Sequence, residues 1–100
     1  MKNEVKQMEL LHQKVICPET VFAQEVDNEI VLLDMQSENY FGLDSVGAVM
    51  WQFMQEHLTL QDVLNALLEY YDVDEAILKK DLLHLVEQLH TNGLIRLERL

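Results

Sequence analysis

Asn39-Tyr-Phe-Gly-Leu-Asp-Ser-Val-Gly-Ala-Val-Met-Trp51 changes its period in the middle. Tyr40 to Leu43 alternate as a short strand does, with Phe41 and Leu43 facing one way and Tyr40 and Gly42 the other. Asp44 then occupies the place of a helix N-cap, where a carboxylate accepts from the unpaired amides of the first turn. Beyond it Val46, Val49, Met50, Phe53 and Met54 recur at helical spacing and make one apolar stripe. A strand therefore runs into a helix with almost no loop, and the rest of the chain is read outward from that junction.

Upstream, Val21-Phe-Ala-Gln-Glu-Val26 and Glu29-Ile-Val-Leu-Leu-Asp34 read as strands joined by Asp27-Asn28, two residues that tolerate positive φ and suit a tight hairpin. Gln36-Ser-Glu-Asn39 makes the next turn. The spacing predicts a three-stranded antiparallel meander whose Tyr40 strand lies at an edge. Residues 1–18 are less legible. Val5, Met8 and Leu11 suggest a helical stripe, Val15 and Ile16 look strand-like, Pro18 stops what precedes it, and an arm that orders on contact is equally consistent. The expected organisation is an arm over 1–18 and a single domain over 19–100.

Downstream, three helices have separate start signals. The first runs from Asp44 to about His57 and carries Gly47, whose cost of about 1 kcal/mol relative to alanine suggests a close backbone approach. Thr59 and Asp62 form a capping-box pair for the second, with Val63, Leu64, Leu67, Leu68 and Tyr71 as its apolar face. The third, from about Asp74 to Thr91, presents Leu78, Leu82, Leu85, Val86 and Leu89 and ends at Asn92-Gly93. Ile77 and Leu83 widen that face on opposite sides, as expected either of a helix with a simple wide core contact or of one that covers a core and also walls a groove. Leu94-Ile-Arg-Leu-Glu98 is a short terminal strand or a frayed tail. The expected class is α+β, a three-stranded antiparallel N-terminal sheet followed by three helices, with the last two helices forming a winged helix-turn-helix-like end.

The 100 residues suit one domain, and their net charge of −11 repels phosphate backbones, which argues against nucleic acid. Cys17, the one cysteine, excludes an internal disulfide and fits a reducing compartment. The N-terminus lacks the apolar stretch of a signal peptide, and no window resembles a membrane span. A cytoplasmic protein is expected. His12, His57, His84 and His90 lack metal-ligand spacing, Asp72, Asp74 and Glu75 fit helix capping and dipole compensation, and the loop lacks a calcium pattern. No phosphate-binding glycine loop occurs. Met50 and Met54 read as core filling, and Trp51 and Tyr70 as core or core-edge aromatics. No assembled active site or cofactor site is expected, so the chain is read as a non-enzyme.

Val31-Leu-Leu-Asp-Met35, Tyr40-Phe-Gly-Leu-Asp44, Gly47, Trp51, Tyr70-Tyr-Asp-Val73, Asp81 and Gly93-Leu-Ile95 together resemble the family of the pyrroloquinoline quinone synthesis protein D, or peptide recognition element, over roughly residues 20–96. The resemblance implies a small winged-helix-like domain that binds a precursor's leader peptide by strand addition and presents it to a processing enzyme. The implied groove lies between Asn39, Tyr40, Phe41, Gly42 and Leu43 on the edge strand and Leu78, Asp81, Leu82 and Leu85 on the third helix. The flank of that helix facing the strand is left open between Ile77-Asp81-His84 and Leu83-Val86. Implied partners are the leader and either a radical S-adenosylmethionine enzyme or, favoured because stand-alone members are common there, the leader peptidase of lasso-peptide synthesis. The chain would act as a monomer or an arm-swapped dimer. The alternative, a winged-helix DNA-binding regulator, needs a basic recognition helix, yet Lys79 and Lys80 stand among Glu75, Asp81 and Glu87.

Overall fold

The computed structural model describes residues 8–100. After a helical stretch at 8–11 come β1 (Gln13–Ile16), β2 (Val21–Val26), β3 (Glu29–Asp34), β4 (Tyr40–Leu43), α1 (Ser45–Glu56), α2 (Leu60–Tyr70), α3 (Glu75–Thr91) and β5 (Arg96–Arg99). The expected α+β order is present, with one addition.

β2, β3 and β4 form the antiparallel meander in that spatial order. Asp27 and Asn28 both take positive φ, 51° and 65°, the pattern of a type I′ hairpin, whose twist matches that of the strands it joins. Val26 faces Glu29 across it. The second turn is built by Asp34. Its carboxylate accepts from the Gln36 amide at 3.1 Å and the Ser37 hydroxyl at 2.8 Å, while its backbone amide donates to the Asn39 carbonyl at 2.8 Å.

Each helix starts on the cap expected for it. The Gly47 amide donates to Asp44 Oδ1 at 2.8 Å. Thr59 and Asp62 exchange both capping-box bonds, and the Ala76 amide donates to Asp74 Oδ1 at 2.8 Å. α3 ends in a Schellman motif, with Gly93 at φ 72°, its amide donating to the His90 carbonyl and the Leu94 amide to the Leu89 carbonyl. A Cβ on Gly47 would meet Asp44 Oδ1 at 3.3 Å and Leu43 side-chain atoms at 3.4 Å. The close approach there comes from the cap and the preceding side chain, where a backbone was expected.

The core joins Ile30, Leu32 and Leu43 of the sheet to Trp51, Met54, Leu64, Leu67, Leu82 and Leu89 of the helices. α1 buries Ala48, Met50, Trp51 and Met54, while Val46 is exposed and Val49 and Phe53 are half-buried. Its buried face is thus rotated from the stripe read in the sequence, because α1 packs on β3 and β4 and also on α2.

The addition is a second, two-stranded antiparallel sheet of β1 with β5, in register from Gln13↔Arg99 to Ile16↔Arg96. Part of the segment expected to be an arm therefore belongs to the fold, since Leu11 and Val15 are buried and join the main core. Val5, the first residue of the expected N-terminal stripe, lies outside the described residues. The C-terminal segment, left between strand and tail, is β5, ordered by β1.

Candidate peptide-binding edge and groove

The backbone of β4 is half committed. Because Val26 and Glu29 close a two-residue hairpin, they form a hydrogen-bonded pair, so by alternation the amides and carbonyls of Ile30, Leu32 and Asp34 point toward β4. The Asp34 amide donating to Asn39 confirms that phase independently. Leu32 faces Phe41 and Ile30 faces Leu43, so Phe41 and Leu43 spend their backbone groups on β3. Tyr40 and Gly42 point theirs the other way. No strand pairs with that edge among the described residues.

Side chains alternate in the same rhythm: Leu43 is buried and Phe41 half-buried on the helix side, and Tyr40 and Gly42 are exposed on the other. A Cβ at Gly42 would meet nothing within 4 Å. Asn39 is exposed at the mouth of the strand, its amide donating to the Ser37 hydroxyl at 3.3 Å.

On α3, Leu78 and Leu82 are buried, Leu85 is half-buried and Asp81 is exposed. Of the residues named from sequence, Leu43, Leu78 and Leu82 thus belong to the core and can only back a surface, whereas Phe41, Asp81 and Leu85 reach one. The two flanks of α3 now separate. Leu83 and Val86 face Leu10 and Leu97 across a cavity of about 660 Å³ beside the β1/β5 ribbon, with His84 on its lining. Leu83 is buried there, so part of the breadth of α3 is explained by the ribbon.

The opposite flank carries Ile77, Asp81 and Leu85, one turn apart. Ile77 is 60 % exposed and Val73, just before the helix, 50 %. Tyr71 caps α2 and packs, half-buried, against the core. Its phenol is pushed up chiefly by burial, then by Tyr70 and by the carboxylate of Asp44 immediately after β4. Val73 and Tyr71 are not among the groove residues expected from the sequence, where Tyr71 belongs to the apolar face of α2.

The turn that holds β4 in register carries one carboxyl whose hydrogen bonds favour its charged form. The Ser37 hydroxyl, then the Gln36 amide and the Thr20 hydroxyl, hold the Asp34 carboxyl below its ordinary value of 3.8. A lowered folded-state pKa stabilises at pH above the ordinary value, and that contribution fades as pH falls through the folded one. Asp34→Ala is therefore expected to lower the melting temperature at neutral pH, with the gap to wild type narrowing below about pH 4; a gap independent of pH contradicts this. Burial raises the Cys17 thiol, which keeps it protonated and unreactive at neutral pH.

The sequence profile of coenzyme PQQ synthesis protein D (PqqD) matches residues 29–95. Two solved structures are similar over most of their length. One is TbiB1 in complex with the TbiA(beta) leader peptide, 30 % identical at a TM-score of 0.75, with 81 % of this chain and 94 % of that one covered. The other is a lasso peptide synthetase B1 complexed with the leader peptide, 25 % identical at a TM-score of 0.74, covering 83 % and 98 %. No curated protein sequence matches. The profile spans β3, the free edge strand β4, all three helices and the Gly93-Leu94-Ile95 stop, and on that extent the chain belongs to the PqqD family.

Proposed function

We propose that this protein is a non-catalytic cytoplasmic chaperone for a leader peptide. It captures the leader of a ribosomally made precursor as an added strand on β4 and holds it for a processing enzyme, with the leader peptidase of lasso-peptide synthesis favoured over a radical S-adenosylmethionine enzyme. The observation that carries this reading is the outward backbone of Tyr40 and Gly42, which no strand pairs with among the described residues. The two similar structures, both leader-peptide complexes, support it.

In this reading the visiting chain exchanges hydrogen bonds with Tyr40 and Gly42 and directs alternate side chains toward Phe41, Leu85, Ile77 and Tyr71. Leu43, Leu78 and Leu82 form the floor, and Asn39 and Asp81 lie at the rim. Ordering each peptide residue costs about 1–2 kcal/mol, and each backbone hydrogen bond returns about 0.5–1.5 kcal/mol, so strand pairing alone roughly breaks even. Affinity then comes from apolar anchors, each worth about 1.5–3 kcal/mol when buried. Three anchors near the upper end of that range, or a larger number of weaker ones, reach the roughly 8 kcal/mol of micromolar binding. The edge sets register and the helix flank selects sequence.

The test is a titration with the leader segment of the precursor encoded beside this gene, followed by fluorescence polarisation. Saturable binding at micromolar or tighter Kd is expected, with no shift of duplex DNA at low salt. Absence of leader binding overturns the reading.

A further inference from the structure

The charge of this chain is segregated. No lysine or arginine occurs between Lys14 and Lys79, a stretch that holds most of the 18 acidic residues, so β2, β3, β4, α1 and α2 are built without a fixed positive charge. Gathering like charges works against a compact fold. Local structure accounts for some of them: Asp44, Asp62 and Asp74 serve helix caps, and Asp34 builds the turn before β4. Glu38, Asp72 and Asp81 cap no helix.

The carboxylates bracket both parts of the proposed leader site. Glu38 precedes Asn39 and Asp44 follows Leu43, so one stands at each end of the free strand β4. On α3, Asp74 lies three residues before Ile77 and Asp81 four after it, which puts them on the flank of Ile77, one turn to either side. All four are exposed. Lys80, the nearest exposed basic residue in sequence, lines the cavity beside the β1/β5 ribbon. Among the described residues the one ion pair joins Arg99 to Glu9 at 3.9 Å, so the acidic stretch has no internal cation to neutralise it.

A second feature of this region suits a positive charge. Tyr70 is 61 % exposed and meets Phe53 and Tyr71 edge to face, with ring centroids 5.7 and 4.8 Å apart. An open aromatic ring near carboxylates, here Asp72 and Asp74, is a combination that holds an ammonium or guanidinium group. Among the described residues no three acidic, histidine or cysteine side chains converge as a metal site does. Carboxylates strung out in this way match charges strung along a chain.

We propose that the leader accepted here is cationic, an extended segment whose apolar anchors are interspersed with lysine or arginine, attracted by Glu38, Asp44, Asp72, Asp74 and Asp81. This rests on the leader-binding reading and adds to it the charge of the ligand. Apolar anchors alone accept any segment of fitting shape, whereas the acidic surround speeds the encounter with a basic segment and turns an acidic one away. Each exposed contact is weak and screened by salt, so selection comes from several acting together. A second copy of the chain, itself at −11, is repelled from the same place.

The experiment titrates the leader encoded beside this gene, followed by polarisation, at low and at physiological ionic strength. Wild type is compared with two triple variants. Asp72→Asn, Asp74→Asn and Asp81→Asn neutralise the site, and asparagine caps a helix as aspartate does, so the start of α3 is kept. Glu9→Gln, Glu87→Gln and Glu98→Gln remove the same charge on the ribbon side, where Glu9 and Glu87 line the cavity and Glu98 belongs to β5. Wild-type binding is expected to weaken about fivefold between the two salts, and the aspartate variant to bind about tenfold more weakly than wild type at low salt, with most of that gap gone at the higher one. The ribbon-side variant is expected to bind as wild type does. Salt-independent binding, an equal loss in both variants, or tight binding of a leader that holds no lysine or arginine overturns this proposal and leaves the leader reading standing. Wild type that binds no leader at either salt overturns the leader reading, and this proposal with it.

Discussion

Proline in place of Tyr40 leaves the domain folded and weakens leader binding by roughly 5- to 150-fold, the equivalent of the about 1–3 kcal/mol lost when a buried acceptor goes unpaired. The Tyr40 amide points off the sheet, so its removal costs the fold no bond, and an edge position with its amide outward is where a strand accepts proline. Phe41→Pro has the opposite profile. Its amide faces Leu32 across the β3–β4 pair, and its half-buried ring packs on the core, so this variant loses melting temperature first and binding with it. Tyr40→Ala keeps the amide and gives the contribution of the ring alone. Thermal melts and polarisation titrations on the three variants check the prediction; equal binding by both folded proline variants contradicts strand addition.

Leu82→Ala and Ile77→Ser separate the floor of the groove from its wall. Leu82 is 0 % exposed, and truncating a side chain so placed costs about 2–5 kcal/mol, out of the 5–15 kcal/mol typical of a domain. At about 4–8 °C per kcal/mol for a domain of this size, the melting temperature falls by roughly 10 °C or more. Ile77, largely exposed, changes stability by no more than about 0.5 kcal/mol. Its loss as an apolar anchor weakens leader binding roughly ten- to hundredfold. Wild-type affinity in Ile77→Ser would remove this flank of α3 from the site.

The local signals of this fold were written in short, chemically explicit pieces. Asp27-Asn28, Thr59 with Asp62, and Asn92-Gly93 act within a few residues of themselves, so a turn, a capping box and a Schellman stop could be read without knowing what packs where. The free edge was legible for the same reason, because three strands joined by two tight turns leave the third at a border. What required the coordinates was non-local. β1 and β5 lie at opposite ends of the chain, and neither alternates strongly enough to announce a partner. The buried face of α1 turns toward Trp51 because two elements cover it, whereas a single stripe assumes one.

The groove shows the same division. Two flanks of α3, Ile77-Asp81-His84 and Leu83-Val86, stay open in the sequence; the cavity beside the ribbon takes Leu83, Val86 and also His84, and the proposed reading places the leader against the side that holds Ile77, Asp81 and Leu85. Leu43, Leu78 and Leu82 were read as site residues since apolar residues on a binding helix and on its core face obey one periodicity. The phase of the backbone hydrogen bonds along β4 follows from the type I′ hairpin two strands away, a long-range consequence of the positive φ at Asp27 and Asn28.

Amide exchange by NMR, followed while leader peptide is added, addresses the free edge at single-residue resolution. Strand addition requires the Tyr40 and Gly42 amides to pass from fast to protected exchange as the peptide saturates, with Phe41 and Leu43, already bonded to β3, little changed. Saturable binding that leaves Tyr40 and Gly42 as exposed to exchange as in the free protein would contradict it.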